Sequence, residues 1–232
     1  MVGSRTSGRD KDLAQVETWL FDLDNTLYPP SAALFQQIER RMGEFIVRAL
    51  GVATDEARDI QKGLFQDHGS TMTGLMVRYG VDPEDFLAHV HEIDHSVLAP
   101  DPALDRALDR LAGRKLVFTN ASLGHAERVL GRLGVRRHFE AIFDIREARY
   151  LPKPAPEPYN VLVRRHGLEP ARTAILDDIA KNLRPAAALG MTTVWVRTDS
   201  PYGREDSDGD HVHYVTDDLV PWLAEVALGA VR

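Results

Sequence analysis

The chain of 232 residues is long enough to bury one large hydrophobic core, or a core domain with a smaller insertion. Its 28 Lys and Arg stand against 35 Asp and Glu, and a formal net charge of -7 without a long basic block argues against a nucleic-acid partner. Cysteine is absent, which excludes disulfides, thiolate metal sites and cysteine nucleophiles and is compatible with a reducing cytoplasm. The catalytic chemistry must therefore use oxygen or nitrogen groups.

The N-terminal segment is polar. Residues 1–9 lack the apolar core of a signal peptide, and no later apolar run is long enough to span a bilayer. We therefore expect a flexible tail over residues 1–15, no membrane partner and a cytoplasmic protein. The sequence indicates no particular oligomeric state.

Short apolar runs, each followed by a turn and a helix-like segment, recur along the chain. This alternation is typical of a mostly parallel sheet with helices on both faces. Two of the helices, at 158–166 and 181–189, end at a glycine that suits a left-handed cap. We therefore predict a doubly wound, Rossmann-like α/β core with strands at residues 18–21, 115–118, 141–143, 173–176 and 192–196.

The segment after the first strand has a different pattern. Residues 29–100 contain no strand-like run, but apolar residues recur with helical spacing over 34–49, and a second helix is predicted at 55–66. Asp82 and Asp101 each precede a proline, which places a capping side chain ahead of the first helical position. Ligands of open parallel sheets bind beyond the carboxyl ends of the strands, so an insertion here would cover the site. We predict an all-helical cap at 29–100 and an α/β catalytic core made of 16–28 and 101–232.

Two carboxylates follow the first predicted strand. Asp22 and Asp24 are separated by one residue, so their side chains share a face while the chain stays extended. An isolated pair of this kind more often ends a strand and caps a helix, because turns favour Asp. The pair indicates a functional site only together with the polar residues at the ends of the later strands.

Polar and charged groups follow those strands as well. Thr119 and Asn120 place a hydroxyl and an amide after the second strand, where they can hold phosphate oxygens or form an ordinary turn. Lys153 stands among prolines that restrict the backbone and hold its ammonium in a defined direction. Asp177 and Asp178 end the fourth strand, and adjacent carboxylates favour a hard cation such as Mg²⁺. We therefore predict substrate binding by Thr119, Asn120 and Lys153.

These four elements, in order at successive strand ends, resemble the four-motif signature of haloacid dehalogenase-type phosphatases. The resemblance covers nearly the whole chain. It implies that Asp22 is the nucleophile, that Asp24 is the general acid and base, and that Thr119 is a phosphate ligand. It also implies that Lys153 is a catalytic residue that neutralises charge.

The same resemblance implies a Mg²⁺ cofactor. Its ligands would be Asp22, the backbone carbonyl of Asp24, and the pair Asp177 and Asp178, of which either could bind directly. A carboxylate can approach a phosphate dianion once Mg²⁺ and Lys153 offset the repulsion. Asp24 favours phosphate chemistry over carbon–halogen cleavage, because the dehalogenases of this family lack the second aspartate and do not need the metal.

The substrate is expected to be a small phosphate monoester. Segments 22–28, 119–121 with 124–126, and 177–182 resemble the pyrimidine 5'-nucleotidase branch, which implies UMP or CMP as substrate. The stretch 68–76 resembles it too, and is predicted as a glycine-containing loop between cap helices that helps select the leaving group or simply joins the helices. Other phosphate esters such as sugar phosphates are the alternative substrates. The alternative functions are a phosphotransferase or mutase on the same fold, and a noncatalytic binding module.

A group of histidines lies at the end of the predicted cap. His89, His91 and His95 fall on one predicted helix, and the last two are spaced i, i+4, as transition-metal ligands can be. No third ligand is evident in the sequence. We therefore expect solvent-facing histidines.

Overall fold

The computed structural model describes residues 11–200 and 202–231. In this part of the chain the strands are β1 (Thr18–Phe21), β2 (Arg114–Phe118), β3 (Ala141–Phe143), β4 (Thr173–Asp177), β5 (Thr192–Val196) and β6 (Tyr214–Thr216). They form one six-stranded sheet in the order β3-β2-β1-β4-β5-β6, in which every neighbouring pair is parallel. The strand β1 is therefore central, with β2 on one side and β4 on the other.

Helices follow the strands in sequence. Four of them lie in the segment 29–100 that follows β1, namely α1 (Leu34–Leu50), α2 (Thr54–His68), α3 (Thr71–Tyr79) and α4 (Pro83–Val90). The others are α5 (Pro102–Arg110), α6 (Leu123–Leu133), α7 (Pro156–His166), α8 (Leu183–Ala188) and α9 (Leu219–Ala227). In the described ranges no helix is both long and apolar enough to cross a membrane.

The two faces of the sheet bury separate parts of the core. Trp19 and Phe21 of β1 pack on the side of α5, α6 and α9, whereas Leu20 packs on the side of α7 and α8. This alternation follows from the two-residue period of a strand. Since both faces are covered, every residue of β1, β4 and β5 is buried, which explains their continuous apolar runs. The predicted doubly wound α/β fold with a helical insertion after the first strand is confirmed.

Helix starts in the insertion and after it follow the predicted capping pattern. The Asp82 carboxylate accepts from the backbone N–H of Glu84 (2.8 Å), and Asp101 accepts from two N–H groups at the start of α5 (2.9 Å each). These bonds satisfy donors that have no partner within the helix. The helices α1–α4 pack on one another beside the sheet.

The stretch 68–76 differs from its prediction as an interhelical loop. Helix α3 begins at Thr71 because the hydroxyl of Ser70 caps it by accepting from the N–H of Thr73 (3.4 Å). Gly74 lies inside α3 and lets it approach α2 closely, since a Cβ at this position would lie 2.7 Å from Leu64 Cβ. The predicted loop is therefore wrong, and the link between the two helices is residues 69–70.

Two other segments differ from the sequence-based expectation. The predicted tail falls mostly on residues 1–10, outside the described residues, but the chain from Lys11 onward packs against the core through buried Leu13 and a bond from Lys11 Nζ to Gly190 O (2.6 Å). Strand β6 was not predicted. Its three residues include exposed Val215, so it has no continuous apolar run.

Candidate active site

The functional side chains predicted from the sequence meet at one edge of the sheet. The backbone N–H of Asp22 donates to Leu176 O (2.9 Å), so Asp22 extends β1 alongside β4. The N–H of Thr119 likewise donates to Phe143 O (3.1 Å) and extends β2, while Asp177 is the last residue of β4. Because these strands are parallel neighbours, the residues at their carboxyl ends share one edge.

The ammonium of Lys153 lies at the centre of this edge. It donates to Asp22 Oδ1 (2.8 Å), to Asp177 Oδ2 (2.6 Å) and to the backbone carbonyl of Phe118 (2.9 Å). Burial alone would lower the pKa of Lys153, but the carboxylates of Asp177 and Asp22 outweigh this and raise it above its usual value. Lys153 therefore stays charged and joins the nucleophile candidate to the fourth strand.

Asn120 positions the lysine. Its side-chain oxygen accepts from the N–H of Lys153 (2.8 Å), and its side-chain nitrogen donates to Lys153 O (3.2 Å). The Thr119 hydroxyl accepts from the N–H of Ala121 (3.0 Å), which leaves its own proton available for donation. Phosphate binding stays a prediction for both side chains. Asn120 also holds the backbone of the proline-rich loop that carries Lys153, here called the lysine loop.

Three buried carboxyl groups form a candidate metal centre. Single carboxylate oxygens of Asp22, Asp177 and Asp178 lie within 4.8 Å of one another. Asp177 is already engaged: its Oδ1 accepts from Ile179 N–H (2.9 Å) and from the Asn182 side chain (3.0 Å), and its Oδ2 accepts from Lys153. By contrast, in the described part of the chain no side chain donates a hydrogen bond to the carboxylate of Asp178. Asp178 is therefore the freer ligand.

The charge of this cluster is incompletely balanced. Burial raises the pKa of Asp22 to about 7 even though Lys153 opposes the shift. Burial also raises the pKa of Asp178 well above its usual value, with further repulsion from Asp22 and Asp177. One ammonium cannot neutralise three carboxylates, so a hard divalent cation fits the donor set.

The carboxyl group of Asp24 faces a different environment. Its Oδ1 accepts from the Tyr28 hydroxyl (2.5 Å) and contacts His125 Nε2 (2.8 Å). Burial alone would raise the pKa of Asp24, but His125 and Tyr28 outweigh it and lower the pKa. The pKa values of the two aspartates of the first motif are thus shifted in opposite directions by their neighbours. Metal binding by the backbone carbonyl of Asp24 stays a prediction.

Two of the three cap histidines contradict their predicted exposure, whereas His89 is half-buried on α4. His91 and His95 are buried and lie beyond α4, on the connection that leads to α5. The His91 ring stacks on His125 (centroids 4.6 Å apart), and His95 Nε2 lies 3.1 Å from His125 Nδ1. Burial lowers the pKa of His91 to about 3 and that of His95 to about 4, so both are neutral near neutral pH.

These histidines, with Tyr28, are the part of the site that sequence reasoning missed. His91 and His95 fail to follow a helix because the chain leaves α4 at Val90, and the backbone carbonyls of both then bind arginines of α6. Periodicity gives no signal for such a packed connection. A signal did exist for His125, which stands in the segment 124–126 that resembles the nucleotidase branch.

The cap helices contact the core close to this edge. A Cβ on Gly69, in the link between α2 and α3, would lie 3.8 Å from Pro154, next to Lys153. The rings of Phe65 on α2 and Tyr202 pack edge to face with centroids 4.9 Å apart. The insertion therefore lies over the lysine loop.

The chain has recognisable relatives. Residues 16–190 match the sequence model of the haloacid dehalogenase-like hydrolases. The chain is 30% identical over 200 residues to Phosphate metabolism protein 8 of Saccharomyces cerevisiae, a match that covers 78% of this chain and 61% of the yeast protein. It is 28% identical over 215 residues to Glyceraldehyde 3-phosphate phosphatase of Methanopyrus kandleri, covering 85% of this chain and 91% of that protein. The chain thus spans less than two thirds of the yeast relative but most of the archaeal one.

A solved structure shows the same fold. CbbY from Rhodobacter sphaeroides in complex with phosphate superposes with a TM-score of 0.63 at 20% identity, over 91% of this chain and 96% of CbbY. At this level of identity the similarity establishes the architecture.

Proposed function

Because the chain belongs to the haloacid dehalogenase-like hydrolases, we propose that it hydrolyses phosphate monoesters with Mg²⁺ as its cofactor. The observation that carries the proposal is the buried ammonium of Lys153 between Asp22 and Asp177, at the strand edge that also holds Thr119. An ammonium beside a carboxylate nucleophile suits a dianionic substrate, because it reduces the repulsion between the two negative groups.

The chemistry runs in two steps. A carboxylate oxygen of Asp22 attacks the phosphorus, and the bond to the leaving oxygen breaks while the Asp24 carboxyl gives that oxygen its proton. The ionised Asp24 then takes a proton from a water molecule, whose oxygen attacks the phosphorus of the aspartyl-phosphate. The bond to Asp22 breaks, inorganic phosphate is released, and Asp24 is protonated again.

The environment of each residue supports its role. The lowered pKa of Asp24 favours the ionised form that the second step needs. An incoming phosphate dianion adds negative charge beside Asp24 and raises its pKa again, which favours the protonated form for the first step. Lys153 stays charged throughout, because its two carboxylate partners raise its pKa.

The proposed Mg²⁺ ligands are Asp22 and Asp178, together with the backbone carbonyl of Asp24. Burial raises the pKa of both carboxyl groups, and a bound cation would favour their ionised forms, which supports this choice of ligands. A bound Mg²⁺ would supply positive charge that offsets the phosphate oxygens. Asp177 instead holds Lys153 and the first turn after β4.

A phosphate-release assay tests this function. The purified protein, given a panel of phosphate monoesters with Mg²⁺ or with EDTA, is expected to release inorganic phosphate in the presence of Mg²⁺. Asp22→Asn should lower the rate by at least about 10³-fold because the nucleophile is lost. Asp59→Asn, at an exposed position on α2, is the matched control and should keep the wild-type rate. Wild-type turnover by Asp22→Asn would refute the assignment.

For the substrate, we propose pyrimidine nucleoside 5'-monophosphates such as UMP and CMP. The resemblance of the motif segments to the pyrimidine 5'-nucleotidase branch supports this choice. We also propose that residues 29–100 act as a cap that selects the leaving group, because the link between α2 and α3 lies against the lysine loop. The cap residues nearest that loop would then contact the nucleoside.

A three-carbon phosphate is the second candidate. The archaeal relative named for glyceraldehyde 3-phosphate matches most of this chain and favours a short sugar phosphate. Measuring kcat/KM for UMP, CMP, glyceraldehyde 3-phosphate and fructose 1-phosphate side by side separates the candidates. A sugar phosphate that exceeds both nucleotides by a wide margin would reject the nucleotide proposal.

A further inference from the structure

Both connections between the cap helices and the sheet reach the carboxyl group of Asp24. Tyr28 lies on the first connection, between β1 and α1, and its hydroxyl donates to Asp24 Oδ1 (2.5 Å). His95 lies on the second connection, between α4 and α5. It contacts His125, which in turn contacts Asp24. In the described ranges, both hydrogen bonds of the Asp24 carboxyl fall on Oδ1. This leaves Oδ2 for the reacting group.

Asp24, His125, His95 and the carbonyl of Ile93 form a row of polar contacts. The donor and acceptor roles along this row follow from its end at Ile93. The Ile93 carbonyl can only accept, so His95 Nδ1, 3.1 Å away, carries the proton. Neutral His95 then accepts at Nε2, and the contact of 3.1 Å is a bond donated by His125 Nδ1. Nε2 of the same ring remains for Asp24 at 2.8 Å. Both nitrogens of His125 are therefore engaged, which fixes the orientation of the ring.

The histidines of this row are buried. His125 is fully buried, and His91 and His95 are each less than a tenth exposed. His91 stacks flat on His125 and is itself held by the Ser122 hydroxyl (2.8 Å). Burying polar rings costs free energy that an apolar side chain would avoid. A core built for stability alone would gain from leucine here, so the row points to a role in the site.

We propose that His125, held by His95, is a positioning residue that fixes the Asp24 carboxyl so that its second oxygen faces the leaving group of the phosphate ester. The inference rests on the proposed function. His125 contacts the carboxyl group of Asp24 and acts through it. Since the second connection carries His95, the orientation of Asp24 depends on how that connection packs against α6.

The leaving group distinguishes positioning from a merely structural role. An alkyl phosphate has a poor leaving group that must receive a proton from Asp24, whereas an aryl phosphate with an acidic phenol leaves without one. The kcat/KM value reports the steps up to formation of the aspartyl-phosphate, where this proton is used. Misplacing Asp24 should therefore lower kcat/KM far more for the alkyl ester than for the aryl ester.

The test compares His125→Leu, His125→Gln and wild-type protein with an alkyl and a nitrophenyl phosphate. We expect His125→Leu to lower kcat/KM for the alkyl ester by about 10²-fold and for the aryl ester by less than about 5-fold. Glutamine places a side-chain amide near the position of Nε2 and can keep a hydrogen bond to Asp24, so His125→Gln should recover part of the loss. His138→Leu removes a histidine–aspartate contact of the same length, 2.8 Å to Asp105, away from the site and should change neither value.

The outcomes separate this inference from the proposed function. If wild-type protein releases no phosphate from any ester, the function itself fails. If wild-type protein is active and folded His125→Leu lowers both values equally, or neither, the positioning role is overturned. Should His125→Leu not fold, His125→Gln and His95→Leu carry the test: a selective loss with the alkyl ester in both supports the role, and an unselective loss rejects it.

Discussion

Replacing Lys153 with methionine tests the electrostatic balance of the site. Methionine is an unbranched apolar side chain, but it removes an ammonium that lies over the Phe118 ring (5.1 Å to the centroid) and donates to Asp22 (2.8 Å), Asp177 (2.6 Å) and Phe118 O (2.9 Å). Removing one partner of a buried ion pair leaves an uncompensated charge and typically costs about 3–5 kcal/mol. We expect Lys153→Met to lower the free energy of unfolding by about this amount at pH 8 without metal.

The loss should depend on pH in a defined direction. Burial already raises the pKa of Asp22 from 3.8 in the unfolded chain to about 7, a difference on the order of 4 kcal/mol against the ionised form. A folded-state pKa above the unfolded value stabilises the protein fully below about 4, and that stability is lost as the pH rises through 7. Without Lys153 the pKa rises further. The variant should therefore approach wild-type stability near pH 5 and fall below it at pH 8.

Urea unfolding followed by circular dichroism, in EDTA at pH 5 and pH 8, measures both values. Lys181→Met is the matched control, because Lys181 is partly exposed and pairs with Glu205 at 3.4 Å, a contact worth less than about 1 kcal/mol. A loss for Lys153→Met that is equal at the two pH values would refute the reasoning. So would a loss no larger than that of Lys181→Met.

Two further predictions concern the metal and the cap. Asp178→Asn should raise the Mg²⁺ concentration for half-maximal activity by at least about 10-fold. Asp177→Asn should mainly lower thermal stability, because Asp177 accepts hydrogen bonds from Lys153 and from two donors of the following turn. Mg²⁺ titrations and melting curves of both variants check this, and equal metal affinity in the two variants would contradict it. Gly74→Ala should destabilise by about 1–3 kcal/mol, since its Cβ would lie 2.7 Å from Leu64, while Gly63→Ala, with open space around its Cβ, should be neutral or stabilising in the same unfolding assay.

The sheet could be predicted from the sequence because its strands are buried on both faces. Parallel strands covered by helices read as continuous apolar runs, and the polar residues that end them mark the functional edge. Asp22, Thr119 and Asp177 were found in this way, each at or directly after the end of its strand. The fold therefore follows from local patterns that repeat along the chain.

The environment of Asp24 could not be predicted in the same way. Its partner His125 lies 101 residues away in sequence, and His95 contacts His125 from another connection. His95 lies on a connection without periodic spacing, and His125, although it falls on the buried face of α6, carries no sign in the sequence of which side chain it contacts. The prediction of exposed cap histidines was wrong for this reason: the composition of a segment does not reveal which element packs against it.

Asp22 and Asp24 of the first motif are two positions apart, and their pKa values are shifted in opposite directions. Asp22 shares its edge with Asp177 and Asp178, so burial and like charge raise its pKa to about 7. Asp24 lies beside His125 and Tyr28, which lower its pKa. If Asp22 is the nucleophile, as proposed, a bound cation would favour its ionised form, whereas the partners of Asp24 are Tyr28 on the first cap connection and His125 on α6. Under the proposed function, attack would depend on a bound metal, and proton transfer would depend on how the second cap connection packs against α6.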